Sequence, residues 1–335
     1  MTALTSIIRD QFPAKRVVIV GDLVADQFLL GTISRVSREA PVFIMRHDET
    51  ETRPGGAANA AANLASLGSK PFPVGVVGDD TNGVLLLESL RSHGIDRAGI
   101  ITDPKLTTTT KVRVLAGQHY AARQQVIRID YENRRTIDRQ VRDDLNQNLA
   151  EASIDADAII FSDYGYGVVD DGTFQLARKI AVEQEIPLIV DSRFRLRDLK
   201  GATAATPNQE EVEQLIGPSN DEAKCDALRK ELELKAMLVT KGNKGMLLVH
   251  EGGPPVLFGA IGSDEPVDVT GAGDTVIAVF ALGLASGMTF EQAAVVANHA
   301  GGIVVMKKGT ASVTSEELIR SLEGVEASSL KGSAA

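Results

Sequence analysis

The chain has 335 residues, of which 43% are hydrophobic and 24% charged, as is typical of a globular protein with a sizeable core. Its 45 acidic residues outnumber 35 basic ones, and this balance argues against a nucleic-acid partner, because phosphate backbones are held by clustered lysine and arginine. A single cysteine, Cys225, excludes an intramolecular disulfide and a four-cysteine zinc site. The sequence contains neither a signal-peptide core nor the ~20-residue apolar stretch of a membrane span, so we expect a cytoplasmic protein without a membrane partner.

Short, continuous apolar runs alternate along the chain with amphipathic stretches. Such runs predict strands that are buried on both faces, because a strand with one wet face would alternate apolar and polar residues. Strands are expected at 15–22, 71–80, 156–163, 186–192 and 235–242. Helices are expected at 57–67, 81–93, 139–151, 171–184 and 208–216. This alternation predicts an α/β protein with a mostly parallel central sheet covered by helices.

Two segments, 28–50 and 105–131, contain strand-like pieces without helices between them. Residues 111–114 alternate polar and apolar side chains, which indicates a strand with one wet face. We therefore expect a small sheet inserted into a single domain that spans 1–335, where it would act as a lid or a dimerisation surface. The last dozen residues, 324–335, are rich in Ser, Ala and Gly and predict a loose tail.

The motif DVTGAGD, at 268–274, precedes a strongly apolar helical stretch. Gly271, Ala272 and Gly273 place small residues at a helix N-terminus, where backbone N–H groups and the helix dipole favour an anion. Asp274 lies at the same point, where a carboxylate can accept a proton from a substrate hydroxyl. The alternative is an N-cap aspartate after a glycine-rich turn.

A second motif, RPGGAANAAANLASLG, occupies 53–68. Gly55 and Gly56 permit a ligand to approach the backbone closely, and Asn59 offers an amide donor and acceptor near the start of a helix. The alternative is an alanine-rich helix that packs closely behind a glycine turn.

A third motif, TPNQEE, occupies 206–211. Asn208 and Glu211 are three residues apart and share one face of the predicted helix. An amide and a carboxylate there are suited to the water shell of Mg²⁺, which prefers few protein ligands. The alternative is a helix-capping arrangement.

The motifs GGAANAA and DVTGAGD, with TPNQEE and VTKGNKG in order between them, resemble the PfkB (ribokinase-like) family of sugar kinases over about 16–314. Within it, GDLVADQFLLGTISRVSREAPV and TKVRVLAGQHY are most similar to the D-glycero-β-D-manno-heptose 7-phosphate kinases, which act in making lipopolysaccharide core heptose. The resemblance implies a three-layer α/β/α domain with a small β lid that often mediates homodimers, ATP as donor and Mg²⁺ as cofactor. The chain departs from those kinases at Arg193, where they tend to have Lys, and at Arg38, where they tend to have Pro.

The resemblance also implies roles for individual positions. Asp274 matches the catalytic base and 271–273 match the anion hole. The positions that match sugar binders are Asp22, Asp26, Gly55, Gly56 and Asn59. Asp163, which ends a predicted strand, is expected at the same edge of the sheet. The positions that match the nucleotide and Mg²⁺ site are Asn208, Glu211, Thr240, Gly242, Gly245 and Asn298, with Glu211 holding Mg²⁺ through water. The positions that match a K⁺ or other monovalent-cation loop are Asp268, Thr270, Gly309 and Val313.

The heptose-phosphate interpretation requires an anionic substrate. A chain with a net charge of −10 would repel a sugar phosphate unless it kept a local positive pocket. The candidates are Lys111, Arg113, Arg123, Arg128 and Arg193, of which we expect about half to be solvated charges. Strand alternation places Lys111 and Arg113 on one face.

The leading hypothesis is therefore transfer of the γ-phosphoryl group of ATP to a sugar phosphate, most specifically heptose 7-phosphate to the 1,7-bisphosphate. Another PfkB sugar or sugar-phosphate kinase is the alternative within the same fold. A nicotinamide dehydrogenase would need GxGxxG after the first strand, where this chain reads GDLVAD. A silent sugar or nucleotide sensor would be expected to lack Asp274 or the glycines before it, and all are present.

Overall fold

The computed structural model describes residues 3–117, 123–133, 136–218, 221–262 and 265–332, with side chains through residue 324. The strands are β1 (Arg16–Gly21), β2 (Leu23–Val36), β3 (Phe43–Gly56), β4 (Lys70–Gly78), β5 (Ile100–Asp103), β6 (Thr110–Gly117), β7 (Gln124–Tyr131), β8 (Ala158–Asp163), β9 (Leu188–Ser192), β10 (Ala204–Ala205), β11 (Ala236–Thr240), β12 (Met246–His250) and β13 (Val256–Phe258). The helices are α1 (Ala3–Asp10), α2 (Ala57–Ser66), α3 (Thr81–Ser92), α4 (Arg139–Ala152), α5 (Asp171–Glu183), α6 (Gln209–Ile216), α7 (Glu222–Glu231), α8 (Ala272–Ala285), α9 (Phe290–Val304) and α10 (Ser315–Gly332).

The main sheet has nine strands in the order β13-β12-β11-β10-β9-β8-β1-β4-β5. Every neighbouring pair is parallel except the two pairs that involve β12. The mostly parallel sheet predicted from the continuous apolar runs is therefore confirmed.

Helices cover both faces of this sheet. Along β1, Val17 and Ile19 pack into a core with α2, α8 and α9, whereas Val18 and Val20 pack into a second core with α4, α5 and α7. Successive side chains of a strand point to opposite faces, so a strand between two helical layers needs an apolar residue at every position. This explains why the strands read as unbroken apolar runs.

A separate four-stranded sheet, which we call the lid, has the order β3-β2-β6-β7. Its strands are longer than the predicted segments: β2 starts at Leu23, directly after β1, and β3 ends at Gly56, directly before α2. Strands β6 and β7 both lie within the second predicted segment, 105–131, and the first of them begins at Thr110. Residues 118–122 of that segment lie outside the described residues.

The prediction of a loose tail from residue 324 is wrong for the described backbone, because α10 continues to Gly332. The segment contains no proline, and its Ser and Gly residues lower helix propensity without breaking a helix that packing has already nucleated, whereas Ala favours the helix. No helix among the described residues combines the length and apolar character needed to cross a membrane.

Candidate active site

The N-terminus of α8 lies below the lid, at the carboxyl edge of the main sheet. Gly271 caps the helix in the left-handed conformation, with φ of 78°. A Cβ at this position would lie 2.5 Å from Asn59 Nδ2, so glycine is needed for both the turn and the close approach. A Cβ at Gly273 meets nothing within 4 Å, so the first turn of the helix is open on that side.

Asp274, in the first turn of α8, is 4% exposed. Asn59 Nδ2 donates to Asp274 Oδ2 at 2.9 Å, and the Tyr164 hydroxyl donates to Asp274 Oδ1. Burial raises the pKa of Asp274 to about 6, although the hydrogen bonds from Tyr164 and Asn59 oppose the rise. A carboxylate with a pKa near neutrality is suited to general-base work.

Asn59 and Gly55, both predicted to contact a sugar, contact other residues of the protein in this structure. The Asn59 amide donates to Asp274 and also to the Gly271 carbonyl at 3.2 Å, so it orients the carboxylate rather than an open cleft. A Cβ at Gly55 would lie 2.7 Å from Asp26 Oδ2, and at Gly56 it would lie 2.8 Å from the Asp22 carbonyl oxygen. These glycines make room for other parts of the protein.

Asp26 and Arg113, both predicted to bind substrate, are paired with each other. Arg113 Nη1 donates to Asp26 Oδ1 at 2.6 Å, and the Thr310 hydroxyl donates to Asp26 Oδ2 at 2.9 Å. The side chains are 7% and 11% exposed, so this is a buried ion pair between β2 and β6. Each charge is neutralised by its partner, so neither is an isolated charge in this structure.

Asp22 and Asp163, both predicted at the substrate edge of the sheet, hold the loop that follows β8. The Asp22 carboxylate accepts backbone N–H bonds from Tyr164, Tyr166 and Val168 at 2.8, 3.1 and 3.2 Å. Asp163 Oδ1 accepts from the Gly165 N–H at 3.0 Å, and its Oδ2 accepts from the Ser192 hydroxyl at 2.9 Å. Both side chains are buried, and burial raises the pKa of Asp22 to about 6 against the loop hydrogen bonds.

The basic residues that were predicted to form a positive pocket fall into two groups: cations that pair with a carboxylate and cations that do not. Arg123 pairs with Asp48 at 3.0 Å, and Arg128 forms a two-pronged pair with Asp130 at 2.9 Å; both arginines are exposed. They are the solvated charges that strand alternation on a wet face allows.

Two cations of that set have no carboxylate within ion-pair distance among the described residues: Lys111 and Arg193. The Lys111 ammonium lies 5.3 Å from the centre of the Tyr164 ring and 5.6 Å from that of Tyr166. Burial lowers the pKa of Lys111; the charge of Asp26 opposes this shift, and the charge of Arg193 adds to it.

The predicted nucleotide residues share one cavity. Thr240, Gly242, Gly245 and Asn298 line a cavity of about 170 Å³ together with Gly273, so the cavity ends at the first turn of α8. Its walls are largely apolar and come from β11, β12, α8 and α9. A cleft with an apolar wall and a helix N-terminus at one end is suited to a nucleotide.

Asn208 and Glu211 form the capping box that the sequence allowed as an alternative. The Glu211 N–H donates to Asn208 Oδ1, and the Asn208 N–H donates to Glu211 Oε2, both at 2.9 Å. Burial raises the pKa of Glu211, and burial together with the Glu211 and Asp274 charges raises that of Asp191 at the end of β9. Carboxylates that repel one another in this way fit a cation between them.

Among the residues that the structure describes, no group of three or more His, Cys, Asp or Glu is arranged to hold a metal directly.

The predicted monovalent-cation loop is assembled in part. Asp268 accepts backbone N–H bonds from Thr270 and Gly309, both at 2.9 Å, which joins two loops. Val313 is fully buried, and its N–H donates to Asn63 Oδ1 at 3.3 Å.

A family model described as pfkB family carbohydrate kinase matches residues 14–317. The chain belongs to this family. It is therefore a phosphotransferase that uses an alcohol group of a sugar as acceptor, and the predicted family and enzyme class are confirmed.

Within this family, the Bifunctional protein HldE of Nitrosococcus oceani is 39% identical over 326 residues, covering 93% of this chain and 64% of that protein. The protein of the same name from Hahella chejuensis is 40% identical over 319 residues, with the same coverage of 93% and 64%. The chain thus spans about two thirds of the length of these curated relatives.

Solved structures confirm the ribokinase-like fold. Arabidopsis thaliana ribokinase, complexed with ribose and ATP, superposes with a TM-score of 0.70 at 22% identity, covering 92% of this chain and 98% of its own. Phosphofructokinase-2 from Escherichia coli, in complex with potassium, superposes with a TM-score of 0.76 at 18% identity, covering 93% and 99%.

Sequence reasoning missed Tyr164, whose hydroxyl contacts the predicted base. A signal was available, because Tyr164 directly follows Asp163 at the carboxyl end of β8, where ligand-facing residues of α/β sheets collect.

Proposed function

We propose that this pfkB-family kinase transfers the γ-phosphoryl group of ATP to a hydroxyl of a phosphorylated sugar, with D-glycero-β-D-manno-heptose 7-phosphate as the preferred acceptor. The observation that carries the proposal is the position of Asp274. It lies at the N-terminus of α8, beside the apolar-walled cavity that Gly273 and Asn298 line, and the charge of Lys111 on the lid favours its ionised form. The similarity of GDLVADQFLLGTISRVSREAPV to the heptose 7-phosphate kinases favours heptose 7-phosphate among phosphorylated sugars.

The residues divide the chemistry as follows. Asp274 accepts the proton of the acceptor hydroxyl while the hydroxyl oxygen bonds to the γ-phosphorus and the bond to the bridging oxygen of ADP breaks. The N–H groups at 271–273 and the dipole of α8 stabilise the charge on the γ-phosphoryl oxygens. Asn59 keeps the carboxylate oriented, and the lid excludes water, which competes as acceptor.

Asn208, Glu211 and Asp191 are the groups that would hold Mg²⁺ through its water shell. When bound, Mg²⁺ neutralises phosphate charge. The loops joined by Asp268 are our candidate for a K⁺ site, with Thr270 and Gly309 beside it.

Lys111 and Arg193 are the proposed phosphate-recognition pair. They repel each other without a carboxylate partner, and an anion between them would relieve that repulsion. Arg193→Ala should raise KM for the sugar phosphate about tenfold or more and leave KM for ATP nearly constant. Arg123→Ala is the matched control, since Arg123 is an exposed arginine paired with Asp48. Equal KM values in the two variants would refute the assignment.

We also propose that the lid mediates a homodimer. Strand β7 is an edge strand of the lid, and its Val126, Ile127, Ile129 and Tyr131 side chains are between 42% and 54% exposed. An exposed apolar edge strand requires cover, which a second copy would supply.

The experiment that tests the function is a coupled ADP-release assay over heptose 7-phosphate, fructose 6-phosphate, ribose and adenosine. Heptose 7-phosphate should give the highest kcat/KM. Equal turnover of ribose would refute the sugar-phosphate assignment and favour the general sugar-kinase alternative. If none of the four compounds supports ADP release, the proposed acceptor class is refuted.

A further inference from the structure

Tyr164 occupies the oxygen of Asp274 that the acceptor hydroxyl needs. Asn59 donates to Oδ2 and the Tyr164 hydroxyl donates to Oδ1, so each carboxylate oxygen already has a donor. Asp274 is 4% exposed, so a third hydrogen-bond donor has no open approach to its carboxylate. Burial and the nearby Asp274 charge raise the pKa of Tyr164 well above 10, so its hydroxyl keeps its proton across the working pH range.

The backbone that carries Tyr164 is held in place on both sides. The Asp22 carboxylate binds the N–H groups of Tyr164, Tyr166 and Val168, and Asp163 binds that of Gly165. Movement of Tyr164 is therefore a rotation of its side chain rather than a shift of the loop. The ring lies against Gly56, whose missing Cβ would come within 3.3 Å of it, and against the Lys111 ammonium of the lid.

We propose that Tyr164 is a positioning residue that holds the free base in its ionised, correctly turned state, and that the acceptor hydroxyl of the sugar displaces the Tyr164 hydroxyl from Asp274 Oδ1. The inference rests on the proposed role of Asp274 as base. Tyr164 keeps water away from the carboxylate until a sugar is bound, which restrains ATP hydrolysis in the absence of sugar. The exchange replaces one O–H donor by another, so it costs few hydrogen bonds.

The charged groups that face Asp274 come from three further elements. Asp26 of β2 and Asp191 of β9 disfavour its ionised form, and Lys111 of β6 favours it. These three charged groups remain when Tyr164→Phe removes only the hydroxyl, so a change in the pH dependence of activity reports the loss of that hydroxyl.

The test compares Tyr164→Phe with Tyr166→Phe. Both remove one phenol hydroxyl beside Lys111, but only Tyr164 contacts Asp274. The acceptor is the sugar with the highest turnover in the ADP-release assay. In Tyr164→Phe the acid limb of kcat/KM, which reports the free enzyme, should rise by about one pH unit because the ionised base loses a donor. The acid limb of kcat, which reports the enzyme–sugar complex, should stay within about 0.3 units because the sugar hydroxyl has already replaced Tyr164.

Hydrolysis of ATP without sugar should increase several-fold in Tyr164→Phe and stay constant in Tyr166→Phe. A matching shift of both limbs would mean that Tyr164 remains bonded during the reaction, and unshifted limbs would mean that it does not act on the base; either result overturns the proposal. Asp274→Asn separates the two levels: its full activity would refute the base itself, whereas an inactive Asp274→Asn with a wild-type profile in Tyr164→Phe refutes only the displacement.

A second measurement does not depend on the folding of the variant. The chain has no Trp and four Tyr, so tyrosine absorbance near 280–290 nm is visible in the intact protein. Sugar binding without nucleotide should change this absorbance in the wild type and in Tyr166→Phe, and much less in Tyr164→Phe. Saturating sugar binding with no change in the wild-type spectrum would overturn the displacement.

Discussion

Asp274→Asn should show separately how much the carboxylate contributes to kcat and how much it lowers the free energy of unfolding. The amide is nearly isosteric and can accept from Asn59 through its oxygen while its Nδ2 donates to the Tyr164 oxygen, which can also act as an acceptor. The variant should therefore fold. Removing a positioned general base should lower kcat by at least ~10²-fold.

The stability effect depends on pH with a defined sign. The pKa of Asp274 is about 6 in the folded protein and 3.8 as the reference value, so the folded state binds the proton more tightly than the unfolded chain. Stability from this group is complete below pH 3.8 and is lost as the pH rises through 6. A difference of about two pKa units corresponds to roughly 3 kcal/mol, of which about half is lost between pH 5 and pH 8.

Asparagine does not titrate, so the free energy of unfolding of Asp274→Asn should rise by on the order of 1 kcal/mol relative to the wild type between pH 5 and pH 8. Urea denaturation at the two pH values measures this gain. Asp143→Asn, at an exposed helix position of α4, is the control and should show a constant difference from the wild type. A constant difference for Asp274→Asn as well would refute the buried, proton-binding carboxylate, whatever the effect on kcat.

Three further outcomes are expected. Gly273→Val should keep the wild-type melting temperature within about 2 °C, because its side chain enters open space, yet lose most of its turnover by blocking the nucleotide cavity; equal losses of stability and of activity per molecule would contradict this. Arg113→Ala should destabilise the fold by about 3–5 kcal/mol in urea, since it leaves the buried Asp26 charge unpaired, and a loss below 1 kcal/mol would refute the buried pair. Ile127→Glu should convert the dimer to a monomer in light scattering at micromolar concentration, and a monomeric wild type would exclude the lid dimer.

The sequence was informative where the physical signal is local. Both faces of β1 are buried, so Val17 to Val20 form an apolar run that no exposed strand would carry. The small residues before Asp274 predict an anion-binding helix terminus because the motif and the helix are contiguous in the chain. The positions of helix α8 and of the cavity beside its N-terminus could therefore be predicted from short segments.

Pairings between distant segments could not be predicted in this way. Asp26 and Arg113 are 87 residues apart, and strand alternation places Arg113 on a face without telling which carboxylate opposes it. Asp22 was placed correctly at the edge of the sheet, but its role depends on a loop more than 140 residues later that folds back onto it. Both side chains have the charge of a substrate contact, and only the tertiary contacts show that the protein itself uses that charge.

The direct joining of the lid to the main domain has a mechanical consequence. Strand β2 leaves β1 after Asp22 alone, β3 enters α2 without any linker, and the Ala57 N–H donates to the Asp22 carbonyl at 3.1 Å, which ties the two crossings together. We therefore expect the β2–β3 hairpin to tilt about the hydrogen-bonded pair Asp22 and Ala57. Because Asn59 of α2 lies two residues after Ala57, we expect any tilt of the lid to shift the amide that orients the Asp274 carboxylate. We therefore expect closure of the lid to be coupled to the alignment of the Asp274 carboxylate.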